Sequence, residues 1–456
     1  MKTKISSFFT TISILFGFNA FSASHYVDNV GNCSGLTTCY LTIQQALNNS
    51  VSNDEIRVFP GTYPETVDLT LMGSELTSAA NGNITFNAVD TNNIPSVGTT
   101  LISPVTNAVF IHSGSFFVGD VTIDGFNVLS ADDDGIDLDL VSGDITITNV
   151  TASGNDSDGI DVEVSTGNHT ITITNSITNN NLSNGLNLDG PDGTVINVIG
   201  AEANNNVGEG INIQSANILD AINVSIVDSE TQDNGNMAND SAGVVVVSTG
   251  SLSVNNLFTK ANHGPGLAII DITDTTISDS IFEDNAIVEF FSGIFLVSAG
   301  EFKVTRSVFS GNGDSGINVY ETDIIGNELT SFSVNCSTFT GNDVGIYLNN
   351  VIGTTSDVQL NHNNFLNQIT AAIQAGTDND AIDATNNWWS DASGPTHSSN
   401  PLGTGDRVSD SIDDAIGGAM GTVDFTPHAM SSIAFEQIAS DTIFLNNFEG
   451  DFCSQL

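Results

Sequence analysis

A short unit of one residue, a glycine, an aliphatic residue, any residue and a second aliphatic recurs through the middle of this chain. It reads DGIDL, DGIDV, NGLNL, EGINI, AGVVV, PGLAI, SGIFL, SGINV and VGIYL, with glycines at Gly135, Gly159, Gly185, Gly210, Gly243, Gly266, Gly293, Gly316 and Gly345. AAIQA, with Ala372 in the glycine place, makes a tenth member. The spacing varies from 23 residues (Gly243 to Gly266) to 33 (Gly210 to Gly243). A fixed unit at variable spacing describes a coil whose loops absorb the insertions.

Two further columns keep step with the glycines. Asn155, Asn181, Asn206, Asn262 and Asn312 lie four residues before a glycine and Asn342 three before, with Asn234 and Asn285 displaced by insertions. Phe258, Phe282, Phe309, Phe339 and Phe365, followed by Trp389, form the third column. Between them lie short alternating runs such as GDITITN and NHTITITN, bounded by Gly, Asn and Asp, which is the strand and turn signature. Helical periodicity is nearly absent after residue 50, so each strand must pair with the coil above and below it. The expected fold is all-β: a single-stranded parallel β-helix with three strands per coil. Aliphatics at the first and third places after each glycine should stack as the core, and the asparagine amides should hydrogen-bond from turn to turn. At about 4.8 Å per coil, some eleven coils give one rod of about 50 Å.

The ends read differently. MKTKISSFFTTISILFGFNAFSA has a positive start at Lys2 and Lys4, an apolar run, and small residues at Ala20, Ser22 and Ala23, the pattern of a secretory signal over residues 1–23. Residues 24–65 are expected to form an N-terminal cap and first strand. LTIQQALNN places Ile43, Ala46 and Leu47 on one face of a short helix, and Ile56 to Phe59 begin the strands. Residues 66–390 hold the coils and 391–456 an exit loop and tail. An exported chain with four cysteines favours disulfides, with Cys33 and Cys39 the preferred pair and Cys336 and Cys453 paired or free.

The charge balance excludes whole classes of partner. The chain has 54 acidic residues against 7 Lys and Arg, a formal net charge of −47. Outside the signal segment the basic residues are Arg57, Lys260, Lys303, Arg306 and Arg407. Nucleic acid and anionic membrane both require clustered cations and are ruled against. No later segment is apolar enough to insert in a membrane, so a secreted or cell-surface monomer is expected.

The capping helix with IRVFPGTYPE, the glycine and asparagine columns, and NNWWSDASGPTHSSNPLGTGDRVSDSI with VDFTPHAM together resemble the secreted bacterial right-handed parallel β-helix proteins with the pectate-lyase-like fold. The resemblance covers nearly all of the chain after residue 23. In it Trp388 and Trp389 look like the end of the aromatic stack. It implies a right-handed coil and an extracellular polysaccharide as partner. Members include lyases, hydrolases, epimerases and proteins of no known activity, so the fold does not assign chemistry.

Residues at the second and fourth places after each glycine should face outward. Coil by coil they run from acidic (Asp137 and Asp139, Asp161 and Glu163, Asp189) to apolar (Val245, Val247, Ala268, Ile270, Phe295, Val297) to aromatic and polar (Asn318, Tyr320, Tyr347, Asn349). Asp137 over Asp161, and Asp139 over Glu163, put like charges at strand spacing, which either raises a pKa or binds a hard cation such as Ca²⁺. Asp137, Asp139, Asp161, Glu163 and Asp189 are the candidate calcium ligands, with further oxygens from Asp132, Asp133, Asp134, Asp156 and Asp158. Phe295, Asn318, Tyr320, Tyr347 and Asn349 are the candidate sugar contacts, the rings stacking and the amides bonding hydroxyls. Binding of polysaccharide is therefore the first reading. A calcium-dependent lyase of the pectate or alginate type, with Lys260, Lys303 or Arg306 as base, is the alternative. A glycoside hydrolase using paired carboxylates ranks below it. Arg306 shares a turn column with Asp279, Cys336 and His362, and Asp279 with Arg306 is most simply an ion pair.

Overall fold

The computed structural model describes residues 22–71, 82–96, 100–102, 110–112, 117–129, 131–217, 219–236, 240–286, 292–297, 300–320, 329–349, 357–376, 381–413 and 421–434. The bulk of the expected signal segment, the centres of the insertions at 235–240 and 286–291, and the tail with Cys453 lie outside them.

One coil shows how the sequence makes the whole. Ile145–Thr148 is a strand, Asn149 turns the chain in the left-handed region (φ 54°), and Thr151–Ser153 is a second, shorter strand. Gly154 (φ 70°) turns it again, Asn155 to Gly159 cross the corner, and Ile160–Val164 is the third strand before the chain returns at Thr170–Thr174. The first left-handed turn recurs at Gly125, Asn149, Asn175, Gly200, Asp228, Asn256, Asp279, Arg306, Cys336, His362 and Asn386. Gly, Asn and Asp dominate because they tolerate positive φ best. The column that sequence reading placed at Asp279, Arg306, Cys336 and His362 is this turn.

Stacking gives a 16-stranded sheet from the first strands, a 14-stranded sheet from the third strands, and four- and six-stranded sheets from the short second strands. Their ladders are parallel throughout the central coils, each residue registered on its counterpart one coil away. The aliphatics flanking each outward residue point inward, as expected. Ile160 with Val162, Leu186 with Leu188 and Ile317 with Val319 are buried in one continuous core.

The asparagine column is a ladder of amides. Nδ2 of Asn155, Asn181, Asn206, Asn234, Asn262, Asn285 and Asn312 each donates to Oδ1 of the next member at 2.9 to 3.2 Å, and Asn342 ends the run on Oε1 of Gln368. Each side-chain oxygen also accepts the backbone N–H one coil before it, as Asn206 does from Asn181. Asn234 and Asn285 are in register, because the insertions fall between asparagine and glycine. Gly159 follows from this packing: a Cβ there would sit 2.7 Å from Asn181 Nδ2 and 2.7 Å from the Gly185 carbonyl.

The aromatic column needs two corrections. Phe282, Phe309, Phe339, Phe365 and Trp389 stack nearly parallel with centroids 4.7 to 5.2 Å apart. Phe258 is not among them, because it precedes Asn262 by four residues instead of three and pairs with Ile281, leaving Thr259 over Phe282. Trp388 points the other way from Trp389, as successive strand residues do, and is half-buried.

At the N-terminus Ile43–Leu47 forms the expected helix with Ile43, Ala46 and Leu47 buried. Thr42 caps it by accepting from Gln45 N at 3.2 Å, and Glu65 accepts from the N–H groups of Ile43 and Gln44 at 2.8 and 3.0 Å. The strand Asp54–Val58 is flanked by Ser24–Val27, a strand that sequence reading did not anticipate. Cys33 and Cys39 are joined by a disulfide with Cα atoms 5.8 Å apart, and Cys336 is also disulfide-bonded.

Candidate functional site

The 14-stranded sheet carries the outward columns in register. One runs Asp137, Asp161, Asn187, Asn212, Val245, Ala268, Phe295, Asn318, Tyr347. The other runs Glu163, Asp189, Gln214, Val247, Ile270, Val297, Tyr320, Asn349. Asp139 departs from expectation. The register shifts between Leu138 and Val141, so Asp139 sits in an irregularity and does not stand squarely over Glu163.

At the acidic end a relay of amides converges on one carboxylate. Asn212 Nδ2 donates to Asn187 Oδ1 at 2.8 Å, and Asn187 Nδ2 donates to Asp161 Oδ1 at 3.0 Å. Two turn residues, Asp134 and Asp158, flank the strand. Asp134 accepts from Asp158 N at 2.7 Å and Asp158 accepts from Asn184 N at 2.5 Å. Asp134, Asp158 and Asp161 each bring one oxygen within 4.8 Å of the others. Sequence reading named Asp134 and Asp158 only as neighbours. Their signal was available, since each stands immediately before a column glycine, and it is the turn that swings them beside Asp161.

Crowding of carboxylates in half-buried positions disfavours their ionised forms. Burial, then Asp139 and Asp134, pushes Asp137 up to about 7. Burial, then Asp158 and Asp134, pushes Asp161 up to about 8, and burial with Glu163 takes Asp189 up to about 6. Glu163, Asp134 and Asp158 move the same way, burial leading in each case. Asp137 Oδ1 and Asp189 Oδ1 are buried without a hydrogen-bond partner among the described residues. Beside these turns a shallow pocket of about 480 Å³ is lined by Ser183, Asn184, Gly208, Glu209, Asp240 and Ser241.

The aromatic end is partly open. Tyr320 is 41% exposed, and its ring lies 6.5 Å from that of half-buried Phe295 at an interplanar angle of 22°. Asn318 is 6% exposed and donates to Asp314 Oδ2 at 3.2 Å, so its amide faces an acid and not solvent. Burial, then the charge of Asp314, raises the Tyr347 hydroxyl. Asn349 holds its place in the column, with its side chain outside the described residues. Val245, Val247, Ile270 and Val297 between the two ends are half-buried.

The three basic residues lie elsewhere. Lys303 is exposed on the 16-stranded sheet, between Thr276 and Ser333. Lys260 ends a short second strand and bonds Glu283 at 3.0 Å. Arg306 grips Asp279 through Nε and Nη2 at 2.7 and 2.5 Å, the ion pair expected from their column. None of the three is on the sheet that carries the acids and the aromatics.

Residues 166–330 match the family model described as the right handed beta helix region. No curated protein matches the chain. Among solved structures it is similar to a mannuronan C-5 epimerase A-module from Azotobacter vinelandii, with 14% identity over 73% of this chain and 93% of that one and a TM-score of 0.48. It is also similar to a pectate lyase (17%, 64% and 79%, TM-score 0.37) and to an alginate lyase from Paenibacillus (14%, 80% and 95%, TM-score 0.33). No helix among the described residues is long and apolar enough to cross a membrane. The registered parallel ladders, with the match to the right handed beta helix region through the central coils, give the chain the fold of a right-handed parallel β-helix.

Proposed function

We propose that this protein binds an extracellular polysaccharide along the outer face of its 14-stranded sheet, with calcium held at the acidic end of that face. The observation that carries the reading is the register itself. One continuous surface begins with clustered carboxylates around Asp161 and ends with Phe295, Tyr320 and Tyr347. The donors suit calcium, because they are all oxygens and approach one another closely, and Asp137 Oδ1 and Asp189 Oδ1 beside them are buried without a hydrogen-bond partner among the described residues. Asp134, Asp158 and Asp161 would hold the ion, with Asp137, Asp139, Glu163 and Asp189 beside it. Bound there, it would offset the acidic surface toward an anionic glycan. Phe295 and Tyr320 supply ring faces for sugar stacking.

Binding is better supported than a lyase reaction, since Lys260 and Arg306 are engaged by carboxylates and Lys303 faces out of another sheet. Affinity electrophoresis over neutral and uronate glycans, with calcium and with chelator, tests the proposal. Retardation that needs calcium and weakens at least about tenfold in Tyr320→Ala is expected. Equal mobility on every glycan would sink it, and unsaturated product absorbing in the ultraviolet would replace it with the lyase.

A further inference from the structure

We propose that the export leader is cut between Ser22 and Ala23, and that the α-ammonium freed on Ala23 becomes the charged partner of the buried Asp54. Asp54 is 2% exposed at the start of the strand Asp54–Val58. Its Oδ1 accepts from Ala23 N at 2.8 Å, and its Oδ2 accepts from Val51 N at 2.9 Å and faces His25 Nε2 at 2.9 Å. A buried carboxylate needs compensating charge as well as hydrogen bonds. Among the described residues no Lys or Arg supplies it, and His25 reaches only Oδ2, leaving Oδ1 to Ala23 N. Arg57, the nearest in sequence, is turned to Glu55 and Asn93. The amide nitrogen already on Oδ1 would bring a full positive charge once the bond before it is broken.

The position of the cut follows from both sides of the bond. Ser22 and Ala20 are small at the last and third-last leader positions, as export peptidases require, whereas a cut after Ala23 would put Phe21 third-last. Ser22 and Ala23 are exposed and lie outside any strand, so the bond is reachable. Ala23 belongs to the folded part, because its carbonyl accepts from Glu55 N at 2.9 Å. A cut one residue later removes both of its bonds, including the Ala23 N–H that Asp54 Oδ1 accepts at 2.8 Å. In the reaction water adds across the Ser22–Ala23 amide. The C–N bond breaks, Ser22 leaves with a carboxylate, and the nitrogen of Ala23 carries the protons as ammonium. The result places the leader boundary one residue before the 1–23 expectation.

The full chain, expressed in an exporting bacterial host, is recovered from outside the cytoplasm and its N-terminus read by sequencing and intact mass. Ala23 as first residue is expected; Ser24, any other start, or an uncut leader overturns the cut. The exported protein is then compared with its N-terminally acetylated form by hydrogen exchange. Amides of Ser24–Val27 and Asp54–Val58 should exchange at least about threefold faster after acetylation, while those of Ser331–Asn335 stay unchanged. Equal rates in the first coil overturn the ion pair. In Asp54→Asn the acetylation effect should vanish; should that variant not fold, the wild-type comparison decides alone.

Discussion

Gly159 has no room for a side chain: the Asn181 amide and two carbonyls already lie within 2.8 Å of where a Cβ would stand. Gly159→Ala should therefore cost about 1–3 kcal/mol by overpacking, measured as a lower denaturant midpoint. Asn206→Ala acts by the opposite route. It strips the acceptor from the Asn181 N–H and amide and should cost about 2–3 kcal/mol for buried groups left unpaired. The acids predict a pH effect. Asp137 and Asp161 hold protons more tightly when folded, about 7 and 8 against a usual value near 4. The folded state then binds more protons than the unfolded one, so stability in chelator should be full below pH 4 and fall as pH rises through 7 and 8. Asp161→Asn should flatten this slope in melts from pH 4 to 9, and an equally steep slope would show that the crowding is relieved by other means.

At the scale of single elements, the stack from Phe282 to Trp389 joins five successive coils on one inner edge. Phe309 has a ring on each face, so Phe309→Ala should lose about 3–5 kcal/mol, more than Phe258→Ala, which empties no place in the stack. Chemical unfolding of the two variants side by side checks the order. Glycine, asparagine and inward aliphatic columns were legible because each place accepts a narrow class of residue in coil after coil and keeps its order through the insertions. Phe258 misled because a one-residue offset is invisible where several positions of a short strand accept an aromatic. Asp279 with Arg306 was legible from its column alone. The grouping of Asp134 and Asp158 with Asp161 was not, because it depends on where a turn directs two side chains, and the irregularity at Asp139 has no mark in the alternation of IDLDLV.

For the whole molecule, the described ladders join each coil to the coils next to it, so stability is approximately a sum of coil and interface terms. Deleting residues 186–210, which brings Gly185 directly to Ile211, removes one full period and should leave the β spectrum and a cooperative melt intact. Deleting residues 186–197 removes half a period, turns core positions outward, and should abolish the melt; circular dichroism distinguishes the two. The amide ladder adds something a sum of coils lacks. Every rung from Asn155 to Asn342 points its donor toward the C-terminal end. Flipping any one side chain would set donor against donor on one side and acceptor against acceptor on the other. The run can therefore order in a single sense only, like a line of compass needles, which gives the rod an axial polarity and commits distant turns to one shared orientation.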